Sequence, residues 1–184
     1  MRSPNGPMPV DARLRAWLQA QGSLTARLRA FGDVQVQVLR QGIQPLWPME
    51  QAELQQRCGY VREVVLWVDG RPAVWARSAT PLAAIKGPWR ALRGLGTRPL
   101  AELLFASSHV LRSPLRMHRL PKGGAMQTYV AGQWQALAGC ALLKQSAGNA
   151  PRWMRSSVFW HTGQPLRVME AFAPWVCALK QPCI

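Results

Sequence analysis

The stretch YVREVVLWVDGRPAVWARSATP, residues 60–81, decides the fold. Two runs rich in Val, Trp and Ala flank Asp69-Gly70, a dipeptide suited to the left-handed backbone of a two-residue hairpin turn, with Pro72 in the same connection. The stretch therefore reads as a β-hairpin. Side chains alternate between the faces of a strand, so Arg62 shares a face with Tyr60, Val64, Leu66 and Val68, whereas Glu63 lies with Val61, Val65 and Trp67. One of the two ions must face the covered side. Arginine is the better candidate for a semi-buried anion site, because its guanidinium stays charged and grips a planar carboxylate with two parallel hydrogen bonds.

The same alternation exposes a second oddity in PLRVMEAFAP, residues 165–174. Leu166, Val168, Glu170 and Phe172 share one face, which places a carboxylate on an apolar surface. An unpaired charge buried there is costly, so Glu170 needs a partner, a proton, or chemistry that explains its position. A competing reading is purely structural, with Arg62 neutralising Glu170 inside the sheet. Arg77, after Trp75 on the return strand, is a candidate second positive charge for the same cavity, against a solvated strand end. Glu63 reads as a structural cross-strand partner, and Glu102 as a solvated helix residue.

Outward from the hairpin, the chain alternates short helices and strands. DARLRAWLQAQG (11–22) spaces Leu14, Trp17 and Leu18 helically after Asp11, and SLTARLRAFG (23–32) begins a second helix at Ser23. DVQVQVLRQG (33–42) alternates as a half-solvated strand, and PMEQAELQQRCG (48–59) reads as a helix with Pro48 in its first turn. GPWRALRGLG and RPLAELLFASS follow as helical pieces, and the final block holds two strands around Thr162-Gly163. Residues 1–10 are Pro-rich and expected to be flexible. Residues 121–151 read as an elaborated loop carrying short strands around Tyr129–Gln135. The sum is a single α+β domain over 11–184: one antiparallel β-sheet with helices packed on one side.

The net charge of +15, from nineteen arginines and four lysines, points to an anionic partner or substrate. The arginines are dispersed and form no helix-turn-helix, zinc-finger or RNA-recognition signature, so specific nucleic-acid binding is not expected. No stretch approaches about 18 consecutive apolar residues, and no secretory leader is visible, which favours the cytoplasm. Cys58, Cys140, Cys177 and Cys183 form no CxxC pair, and His109, His118 and His161 stand at no metal-ligand spacing. No metal site or disulfide framework is expected. Phosphate-loop, dinucleotide, nucleophile-elbow and zinc-peptidase motifs have no match.

Four blocks, GSLTARLRAFG, YVREVVLWVDGRPAVWARSATP, LGTRPLAELLF and SSVFWHTGQPLRVMEAFAP, resemble in order and spacing those of the chorismate pyruvate-lyase family. That resemblance implies an enzyme converting chorismate to 4-hydroxybenzoate and pyruvate for ubiquinone synthesis, with no metal or organic cofactor. It also implies a ligand cavity buried between the sheet and helical flaps. The family's ligand arginine corresponds to Arg62 and its glutamate to Glu170; its remaining binding positions correspond to Leu24 in the SLT turn and Leu100 in TRPL, acting through backbone groups and cavity walls. Ala173 departs from the leucine usual before the proline, and the segment 120–150 looks longer than in compact relatives. Glu170 at the hydroxyl end of the ring suits three roles: proton donor, proton acceptor, or orienter while hydrogen passes directly from C4 to the enolpyruvyl methylene. The alternative is a non-catalytic sensor of aromatic carboxylates on the same fold, disfavoured because only about twenty residues precede the first block. A monomer is the expected state.

Overall fold

The computed structural model describes residues 11–105, 108–138 and 149–181. Asp11 and Ser23 cap the first two helices, α1 (Ala12–Gln19) and α2 (Leu24–Arg29), each side-chain oxygen accepting from a first-turn backbone N–H. Strand β1 (Val34–Pro45) leads into α3 (Pro48–Leu54), followed by the hairpin strands β2 (Cys58–Val68) and β3 (Arg71–Thr80). Asp69 and Gly70 both take positive φ, 48° and 72°, as the two-residue turn requires. Helix α4 (Leu82–Lys86), a 3₁₀ turn at Arg90–Gly94, and α5 (Leu100–Phe105) come next. Short strands β4 (Val110–Arg112) and β5 (Arg116–Arg119), helix α6 (Ala125–Ala138), the hairpin β6 (Trp153–His161) and β7 (Gln164–Phe172), and α7 (Pro174–Cys177) complete the chain.

All pairings are antiparallel in one sheet of order β1-β2-β3-β7-β6-β4, with β5 also on β6. The β3–β7 pairing joins the two hairpins and sets Ala76 opposite Glu170. Cross-strand registers then place Arg62, Ser78, Val168 and Ser157 in one row on one face, with Glu170 and Arg155 paired in the next. Toward one end of that face, Trp17, Leu18, Leu24 and Leu28 of α1 and α2 pack with Leu66, Val74 and Phe172. Ile85, Trp89, Leu92 and Leu104, from α4 to α5, pack with Phe159, Leu166 and Val168 toward the other. A cavity remains between the two helical groups.

The antiparallel α+β sheet is as expected, but helices cover both faces. The segment expected to hold strands around Tyr129–Gln135 is instead α6, and its remainder at 139–148 lies outside the described residues. The deciding spacing is that of Val130, Trp134 and Leu137, all buried, which recurs at four and three residues and not at two. Trp47, at the start of α3, stacks on Trp75 at 5.9 Å, and Tyr129 of α6 meets both indoles edge-on. Those contacts close the second face.

Candidate active site

Arg62 emerges from β2 at the floor of the cavity, 2% exposed. Its Nη2 donates to the carbonyls of Gly96 (2.8 Å) and Arg98 (3.2 Å), in the segment that leads to Leu100. Its Nε is buried and has no partner among the described residues. Burial lowers the Arg62 pKa, and the nearby Tyr60 opposes this; an arginine remains a cation at neutral pH regardless. One edge of the guanidinium is thus anchored, and a donor remains for an anion.

Glu170 lies on the same face, two strands away on β7, and borders the same cavity. Its partner is not Arg62. Arg155, directly opposite on β6 and 1% exposed, donates from Nε to Glu170 Oε2 at 2.6 Å. Arg155 Nη1 donates to the carbonyls of Trp17 (3.2 Å) and Ala20 (2.7 Å), at the end of α1 just before the turn that carries Leu24. Each sheet arginine therefore ties one flap: Arg62 the 96–98 segment, Arg155 the α1–α2 junction. Leu24 and Leu100 line the cavity from those two flaps.

A third arginine reaches in from β4. Arg112 donates from Nε to Ser157 Oγ at 3.0 Å and lies 4.9 Å over the Phe159 ring, while its buried Nη1 has no partner among the described residues. Burial lowers its pKa most; the Glu170 charge opposes that shift and the Arg155 charge adds to it.

Arg77 corrects the sequence reading. It borders the cavity, but its guanidinium is engaged with Glu50 of α3, from Nε at 2.7 Å and from Nη2 at 2.8 Å, and with Glu63 from Nη1 at 2.6 Å. Tyr129 donates to the other Glu63 oxygen at 2.8 Å. Burial lowers the Arg77 pKa, and the hydrogen bonds and charges of Glu50 and Glu63 outweigh it and raise the value. The cause of the misplacement is one extra residue on β3, Ala73. Val68 pairs with Arg71 and Trp67 with Pro72, but Leu66 then pairs with Val74. Arg62 and Arg77 are equally far from the Asp69-Gly70 turn, so an unbroken ladder would put them opposite each other on one face. The bulge moves the register by one and turns Arg77 to the other side.

Sequence reasoning also passed over Arg155 and Arg112. A signal for Arg155 was present: Arg155 and Glu170 are equally far from the Thr162-Gly163 turn, and that hairpin has no bulge, so counting back from the turn pairs them. Arg112 offered none, because its β4 strand has three residues and its register on β6 depends on the intervening connection.

Fold and site together define a single-sheet α+β protein with an arginine-rich cavity whose described lining holds one carboxylate. The chorismate lyase family model matches residues 7–178, and the chain belongs to that family. It is 43% identical over 169 residues to a probable chorismate pyruvate-lyase of Albidiferax ferrireducens, covering 88% of this chain and 83% of that one. It is 40% identical over 178 residues to a second, from Azoarcus sp., covering 94% and 90%. Among solved structures, PhnF from Mycobacterium smegmatis shares the fold with a TM-score of 0.51 at 14% identity, over 84% of this chain and 65% of that one.

Proposed function

We propose that this protein converts chorismate to 4-hydroxybenzoate and pyruvate, the step that supplies the aromatic ring of ubiquinone. The observation that carries the reading is the arrival of Arg62 and Glu170, about a hundred residues apart in the chain, on one face of one cavity. Chorismate carries a ring carboxylate at C1, a hydroxyl at C4 and an enolpyruvyl ether at C3. In the reaction the C3–O bond breaks and C4 gives up its hydrogen as the ring aromatises. The departing enolpyruvyl group gains a hydrogen at its methylene and leaves as pyruvate, so atoms balance.

Arg62 binds the ring carboxylate through its unpartnered edge, and Glu170 faces the C4 hydroxyl and the ether oxygen. Adjacent strands are about 4.8 Å apart, so the backbones of β2 and β7 are separated by roughly 10 Å, a span that a six-membered ring with its two para substituents fills between the side chains. Most of the driving force comes from aromatisation, so the work of the protein is orientation, exclusion of water and stabilisation of charge that shifts toward the ether oxygen. Arg155 holds the Glu170 carboxylate in place for that purpose.

In this reading the enzyme works as a cytoplasmic monomer, needs no cofactor, and binds nucleic acid only non-specifically. No helix among the described residues is long and apolar enough to cross a membrane. Purified protein mixed with chorismate should generate the ultraviolet absorbance of 4-hydroxybenzoate, with stoichiometric pyruvate, well above the spontaneous rate. Folded protein that binds 4-hydroxybenzoate but produces none would leave the sensor reading in its place.

A further inference from the structure

Resting on the lyase reading, the charges in the cavity raise a further point. Arg62, Arg112 and Arg155 contribute three positive charges and Glu170 one negative, leaving +2 among these four residues. Chorismate is a dianion; 4-hydroxybenzoate, with a neutral phenol, has one negative charge. Arg62 accounts for the ring carboxylate, and Arg155 is occupied by Glu170 and the carbonyls of Trp17 and Ala20. Arg77, also on the wall, is engaged by Glu50 and Glu63, so among the described residues the remaining cation is Arg112.

Sheet order places these groups in sequence. Arg62 is on β2, Glu170 on β7 and Arg112 on β4, so the carboxylate of Glu170 lies between the two cations, two strands from each. Substrate has the same order: ring carboxylate, then C4 hydroxyl and ether oxygen, then the enolpyruvyl carboxylate. Arg112 is also fixed in advance of binding, by Ser157 Oγ at its Nε and by the Phe159 ring beneath it, which lessens the ordering cost of gripping an anion. Its Nη1 is buried, lacks any partner among the described residues, and belongs to a side chain on the cavity wall. A buried guanidinium N–H without an acceptor is costly unless a ligand supplies one.

We propose that Arg112 is the subsite for the enolpyruvyl carboxylate, so that it binds chorismate and the nascent pyruvate but not 4-hydroxybenzoate. Arg62 then serves substrate and aromatic product alike, whereas Arg112 discriminates between them. Loss of its partner when pyruvate departs weakens the hold on that end of the cavity first.

The test compares Arg112→Met and Arg112→Lys with the parent and with Arg62→Met, by steady-state turnover of chorismate and by calorimetric titration with 4-hydroxybenzoate. For Arg112→Met, kcat/KM for chorismate should fall roughly a hundredfold, as expected when a buried charged partner is removed, while the 4-hydroxybenzoate Kd moves less than about threefold. Arg112→Lys keeps the charge and should recover part of the loss; if the Met variant fails to fold, the Lys variant should still show a raised KM with unchanged product affinity. Arg62→Met should weaken both ligands. Equal weakening of substrate and product in the Arg112 variants, or an unchanged kcat/KM, overturns the assignment while leaving the lyase reading intact. Absence of turnover by the parent protein refutes the lyase reading itself.

Discussion

Replacing Glu170 by Gln separates chemistry from architecture, because the structure shows what the carboxylate holds. The amide keeps the shape and one acceptor for Arg155 Nε, now 2.6 Å from Oε2, and removes only the charge. A hydrogen bond to a charged partner contributes about 1.5–3 kcal/mol and a neutral one about 1 kcal/mol; with Arg155 still charged, the substitution should cost about 0.5–2 kcal/mol of stability. Arg155 retains its two carbonyl acceptors on α1, which caps that loss. For a chain of this size the melting temperature should fall by roughly 1–8 °C. The rate is a different matter. If the Glu170 carboxylate acts on the C4–C3–O system in the transition state, kcat should fall by about 10²–10⁴, the usual range for a positioned acid or base. Affinity for 4-hydroxybenzoate, measured by calorimetry, should change by much less, since only interactions strengthened at the barrier appear in kcat. A stable Glu170→Gln protein with kcat within threefold of the parent would refute the catalytic role and leave Glu170 as the partner of Arg155 alone.

Other expectations follow from the second face and from the surface. Arg77→Met strands the carboxylates of Glu50 and Glu63, both fully buried, and should cost about 3–5 kcal/mol in urea unfolding; a loss below about 1 kcal/mol would mean that the network is solvated. Burial, with the hydrogen bond to Glu63 and its negative charge, pushes the Tyr129 hydroxyl up to about 12. A group raised in the folded state contributes stability below its unfolded pKa of about 10 and loses that contribution as pH climbs through the folded value, so the stability difference between parent and Tyr129→Phe should shrink from pH 10 to 12. A pH-independent difference would contradict the Tyr129–Glu63 bond. Finally, the net charge of +15 should attract a dianion over a distance of about 8 Å at physiological salt, so kcat/KM should fall as ionic strength rises, and a flat profile would remove steering from the account.

Local chemistry was legible in the residues alone. Asp11 and Ser23 as helix caps, the Asp69-Gly70 and Thr162-Gly163 turns, and the period-two strands around them depend on interactions within a few residues, and all appear where the alternation and turn residues put them. The same alternation put Arg62 and Glu170 on covered faces before any pairing of strands was known. What the sequence did not determine were the relations across strands. Whether Arg62 and Glu170 face the same cavity depends on the β3–β7 register, a contact between segments about ninety residues apart. The face of Arg77 turned on a single bulge residue, Ala73, because a shift of one in a period-two element inverts every side chain beyond it. Helix α6 does carry a local signal, the helical spacing of Val130, Trp134 and Leu137, but the neighbouring Gly123, Gly124 and Gly132 mask it, and packing of Tyr129 on Trp75 and Glu63 settles it. The cavity charge is likewise a tertiary property: three arginines on β2, β4 and β6 do not stand out among nineteen in the chain, and become one basic cavity only when sheet order sets them around one carboxylate.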